Sequence, residues 1–149
     1  MSPNDELLNL VQDLAAARPF QAEGVTKITG HHLQVSTESS NPYFSIFTSR
    51  DDKHRFLSAT ELRVPRPGSG ATAPDGILIL DVQPQLCVGQ KEVMARFGEH
   101  PELSVPSPHQ PPDSPIYFVY RVPWGAMRFG FQRGGQECLT KVVLDATRR

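Results

Sequence analysis

Five histidines (His31, His32, His54, His100 and His109), the Asp51-Asp52 pair and two cysteines (Cys87 and Cys138) are the groups in this chain whose chemistry could reach beyond packing. Adjacent residues of a strand point to opposite faces, so His31 and His32 do not chelate a metal readily, and both read as surface histidines. Asp51, Asp52 and His54 sit in a polar stretch that suits a hairpin turn. No HExxH helix, nucleophile elbow or phosphate loop is present. Gly134-Gly135 has no helix after it to hold a phosphate, so it reads as a turn. Cys87 has no base near it in sequence, and no spacing matches a metal ligand set or a CxxC pair. Two buried thiols are preferred over a disulfide. No enzyme, metal or cofactor is expected from these residues.

Binding is a better use of the side chains. Tyr117, Tyr120, Arg121, Trp124 and Arg128 crowd into twelve residues. These residue types dominate the energetic centres of protein interfaces. Tyr117 and Tyr120 are three apart, so a strand through them turns one of the two outward. Tyr43, Lys141 and His109 are further candidates. His109 lies in a loop from Glu99 to Pro115 with six prolines, which should be stiff, exposed and partly polyproline II.

Composition narrows the partners. The chain has 149 residues, 38% of them hydrophobic, enough for one domain with a real core. Fifteen basic and sixteen acidic residues leave a net charge of −1. Nucleic-acid binders usually carry a basic footprint, so none is expected here. No apolar run is long enough to span a membrane. The acidic start, Asp5-Glu6, is unlike a signal peptide, so the chain reads as cytoplasmic as written, or periplasmic if a signal peptide was removed.

The elements that must position these side chains fall into two similar sets. Leu7, Leu8, Val11, Leu14 and Ala15 recur at helical spacing, capped by Ser2 or Asn4 and stopped by Pro19. Val25–Thr29 and His32–Ser36 have strand composition, with Gly30 between them. Tyr43–Thr48 and Arg55–Val64 follow as strands. In the latter, Phe56, Ser58, Thr60, Leu62 and Val64 alternate with Leu57, Ala59, Glu61 and Arg63. Residues 65–76 have linker composition. Ile77–Val82 is an apolar strand expected to be buried on both faces and to join the halves. Gln90–Phe97 forms a helix with Val93, Met94 and Phe97 facing inward, ended by Gly98. Three strands close the chain: Ile116–Val122, Ala126–Gln132 and Cys138–Ala146. Phe118, Phe129 and Phe131 are read as core, and Arg148-Arg149 as a solvated tail.

The expected fold is therefore α+β. Two helix-plus-antiparallel-meander halves form a curved sheet with helices on one face. Residues 1–64 make the first half, 65–87 a linker with a short strand, and 88–149 the second half, within one continuous domain.

The second half resembles one repeat of the β-lactamase-inhibitor-protein-like fold, shared by small outer-membrane lipoproteins of the SmpA/OmlA type. The resemblance rests on Val93, Gly98 and Pro101. It continues through Tyr117-Phe118-Val119-Tyr120, Met127-Arg128-Phe129-Gly130-Phe131 and Leu139-Thr140-Lys141-Val142. Cys87 stands where the family usually has a glycine. The resemblance implies a curved sheet with one open face that docks a protein. It points to an immunity protein that neutralises a toxin or effector enzyme by steric occlusion, as in type VI secretion. The alternative it implies is an envelope scaffold or assembly factor.

Overall fold

The structure is a computed structural model that describes residues 2–70 and 73–146. The tail arginines Arg148 and Arg149, and Ala71 and Thr72 of the linker, lie outside the described residues. The elements run α1 (Pro3–Ala16), α2 (Ala22–Thr29), β1 (Gln34–Val35), β2 (Phe44–Arg50), β3 (Leu57–Pro65), β4 (Ile77–Val82), α3 (Gln90–Phe97), β5 (Glu102–Ser104), β6 (Ile116–Val122), β7 (Gly125–Phe131) and β8 (Leu139–Asp145).

All eight strands form one antiparallel sheet in the order β1-β2-β3-β4-β8-β7-β6-β5. Each half is a four-stranded meander; in the second half β5 is one strand more than the sequence pattern suggested. The last strands of the two meanders pair with each other. The order is thus a palindrome, with a pseudo-twofold axis between Ile79 of β4 and Val143 of β8. Ile77–Val82 does join the halves, as expected. It is not buried on both faces, however. Leu78, Leu80 and Val82 are buried, whereas Ile77, Ile79 and Asp81 are only half-buried.

One hydrophobic cluster serves both halves. It combines Leu7, Leu8, Val11 and Leu14 of α1, Val25 of α2 and Val93 of α3 with alternate residues of the strands, including Leu62, Leu80, Phe129 and Leu144. All three helices therefore cover the same face. Polar contacts fasten α1 to α3. Asn4 donates to the Cys87 carbonyl (2.9 Å) and to Glu92 (3.0 Å), and Arg96 donates to Asn9 (2.6 Å). Ser2 caps α1 by accepting from the Asp5 amide.

Several sequence expectations are corrected here. Val25–Thr29 is helix, not strand. Val25 and Thr29, one turn apart, are both buried in α2, and this packing outweighs the strand preference of Val, Thr and Ile. Gly30, at φ 80°, ends the helix with its amide on the Thr26 carbonyl. The strand expected at His32–Ser36 shrinks to two residues. The stretch read as a linker between halves instead connects β3 and β4, which pair directly as a hairpin. The proline loop contains a short strand, β5, which occupies the sheet edge before Pro106.

Two β-bulges change which residues face inward. The register shifts at Ser58 of β3 and at Thr140 of β8. Each extra residue turns the preceding leucine into the core, so Leu57 and Leu139 are buried along with Leu62 and Val142. Strict alternation assigned both leucines to the other face.

Cys87 and Cys138 are joined by a disulfide, not left as thiols. The pairing follows from long-range geometry: the Leu139 amide donates to the Val88 carbonyl, which brings the two cysteines' Cα atoms to 4.8 Å.

Candidate functional site

Helices cover one face of the sheet. Among the described residues, no helix or second sheet lies over the other. Strand alternation sends every second side chain to this open face. The register aligns Gln34, Thr48, Glu61, Ile79, Val143, Arg128, Val119 and Glu102 in one row across all eight strands. The centre of the face, at Ile77, Ile79 and Val143, is apolar and half-buried.

Four ion pairs flank that centre: Arg63–Glu61 at 2.7 Å, Lys141–Asp81 at 3.6 Å, Arg128–Asp145 at 3.0 Å and Arg121–Glu102 at 3.0 Å. The Asp145 pair is the most enclosed. Its second carboxylate oxygen, Oδ1, is buried with no hydrogen-bond partner among the described residues. A depression of about 430 Å³ opens beside the centre, lined by Arg50, Glu61, Arg63, Ile79, Asp81 and Lys141, among others.

The residues singled out in the sequence divide between the faces. Tyr117, Arg121, Arg128 and Lys141 are on the open face. The Tyr117 ring lies across β7 at Gly130. A Cβ on that glycine would stand 2.8 Å from the ring, so glycine is what lets the aromatic lie flat there.

Tyr120 faces the helices. Its hydroxyl donates to the Gly98 carbonyl at 2.7 Å, and its ring packs against Phe97 and Phe129. Burial pushes the Tyr120 phenol up from its ordinary range. Trp124, in the β6–β7 turn, also packs on the helix side, with the Arg18 guanidinium 4.3 Å from its ring centroid. Tyr43 and His109 are exposed, outside the sheet rows.

Glu61, Arg63, Asp81 and Asp145 on this face were not selected from the sequence. The signal was present in β3, where Glu61 and Arg63 alternate with the core leucine Leu62. Connecting it to Asp81 and Lys141 requires the β4–β8 pairing.

The groups considered for catalysis do not converge on the open face. His54 lies in the β2–β3 turn and His31 in the helix layer, where it is buried rather than at the surface. Among the described residues, no group of three or more His, Cys, Asp or Glu is placed to hold a metal ion. Among them too, no helix is long and apolar enough to cross a membrane. No family model, curated protein or solved structure matches the chain.

Proposed function

We propose that this chain is a protein-binding inhibitor, most concretely an immunity protein that neutralises a toxin or effector enzyme by covering its active site with the open sheet face. The observation that carries this reading is that face itself: an apolar centre flanked by paired charges, with no helix or second sheet above it among the described residues. At about 4.8 Å per strand interval and 3.3 Å per residue, it measures roughly 34 by 21 Å, or about 700 Å². A standard interface takes about 800 Å² per partner. Paired charges already held in the sheet plane give specificity with little further ordering. Tyr117 and Arg121 would lie toward the rim, and Arg128 and Lys141 closer to the centre.

The disulfide supports work in an oxidising compartment such as the periplasm over the cytoplasm. It equally suits the second reading, an envelope scaffold or assembly factor.

The test is capture and inhibition. The tagged chain is compared with an open-face variant, Arg128→Glu with Lys141→Glu, and with a control altered at Glu23 of α2. A single hydrolase or toxin held stoichiometrically, inhibited at one-to-one ratio and released only by the open-face variant, is the expected result. Capture of envelope assembly components instead would favour the scaffold. No binding, or binding indifferent to the open-face changes, would overturn both.

A further inference from the structure

Buried His31 and half-buried His54 form a pair that the open face does not use. Their ring centroids are 4.3 Å apart, edge to face. His31 is 2% exposed. Its Nδ1 is 2.9 Å from the Thr60 hydroxyl, and its Nε2 is buried with no hydrogen-bond partner among the described residues. The hydrogen bonds of His54 fix its tautomer. Nδ1 accepts from the Phe56 and Leu57 amides at 3.1 and 3.0 Å, so it carries no proton. Nε2 stands 2.6 Å from the Thr29 carbonyl, which can only accept, so Nε2–H donates.

This pair fastens the turn between β2 and β3 to the C-terminal end of α2. The turn's carbonyls are held from the other side by buried Gln83. Its side chain donates to the carbonyls of Asp51 and His54 at 3.0 Å, and its amide donates to that of Phe56. Phe56 packs against the core at the end of the turn, and these polar bonds hold the rest of it in place.

We propose that the His31–His54 pair is an acid-released latch holding the β2–β3 turn against α2. With both rings neutral, the latch is closed. A proton on His31 puts a cation in a site where the neighbouring ring offers it no acceptor. Opening the turn exposes the rings to water, and one proton is taken up as it opens.

Several charged groups surround the pair. The turn carries Asp51, Asp52, Lys53 and Arg55, with Arg55 ion-paired to Glu6 of α1 at 2.8 Å. α2 carries Glu23 and Lys27, and β3 presents the neutral Thr60. Burial first, then the neighbouring His54, hold the His31 imidazole below its ordinary range. The Asp51 carboxylate and the Leu57 backbone pull the other way without reversing the direction. The open state therefore binds more protons than the closed one below the ordinary histidine value of about 6.5. Closure is complete above that pH. It weakens as pH falls from there toward the depressed value, by up to tenfold per pH unit for one proton.

Amide hydrogen exchange reads the latch directly. Protection factors of the Phe56 and Leu57 amides are measured at pH 7.5 and 5.0, with the Phe129 amide of β7 as internal reference. The expected result is a fall of roughly tenfold or more at Phe56 and Leu57 on acidification, none at Phe129, and no fall in His31→Gln. An unchanged wild type, an equal fall at Phe129, or the same fall in His31→Gln would each overturn the proposal. If His31→Gln does not fold, NMR titration of the His31 ring in the unaltered protein decides. A midpoint below 6.5 supports the latch and one at or above it removes it.

Discussion

Along β7, Met127, Phe129 and Phe131 point toward the helices, and Ala126, Arg128 and Gly130 point away from them. The same six residues therefore build two surfaces with different work. On the covered face, side chains from both meanders and all three helices interlock, and each is valued by the volume it fills. On the open face, side chains touch mainly their neighbours in the sheet, and the charged ones meet in pairs half in water. Burial contributes about 25 cal/mol per Å² of apolar surface, whereas an exposed ion pair contributes under about 1 kcal/mol. Stability therefore resides on one face. The other is then free to carry specificity at little cost to the fold.

The sharpest way to break this division is at Phe129, which is fully buried against Phe97 and Tyr120. Phe129→Ala should lose about 3–5 kcal/mol of unfolding free energy by urea titration. A loss under about 1 kcal/mol would mean the helix layer is not packed as described.

Next is the disulfide, which spans 51 residues and holds the approach to α3 against the β7–β8 hairpin. Replacing both cysteines by serine should cost about 2–4 kcal/mol. The loss should lower the thermal midpoint without changing binding through the open face, because both cysteines lie outside the strands that form it.

Gly130→Ala tests the open face by steric means. The added methyl must displace the Tyr117 ring, at a cost of about 1–3 kcal/mol. Gly130→Ala combined with Tyr117→Ala should recover part of that loss, which a double-mutant cycle would measure.

The ion pairs give the smallest effects and rank by burial. Arg128→Ala leaves the enclosed Asp145 carboxylate without its partner and should cost about 1–2 kcal/mol. Arg121→Ala removes an exposed pair and should cost under about 0.5 kcal/mol. Equal costs would mean that the open face is not graded by burial.

Much of the architecture was legible in the chain because it rests on local periodicity. The stripe Leu7, Leu8, Val11 and Leu14 specifies α1, and Val93 and Phe97 set the inward side of α3. Alternation through Met127, Phe129 and Phe131 gives β7 and its inward face. Each pattern is written within a few turns or one strand, where the geometry of helix and sheet is fixed. The candidate site was half legible. Arg121, Arg128 and Lys141 could be picked by type, but Tyr117 and Tyr120 could only be said to oppose each other. Which one faces out depends on where the helices pack.

The remainder was decided by contacts between distant residues. Val25–Thr29 has strand propensity but becomes α2 because Val25 and Thr29, buried one turn apart, complete the helix layer. Leu57 and Leu139 enter the core through bulges that only the neighbouring strand's register requires. Cys87 and Cys138 bond because α3 and the β7–β8 hairpin meet. His31 is buried because α2 ends against β3. The sequence by itself determined where helices and strands can form and which side of most of them is apolar, since those depend on neighbours in the chain. Only the tertiary structure decided that β4 pairs with β8, which face stays open and which polar groups are enclosed. Those outcomes depend on which distant surfaces bury the most area together.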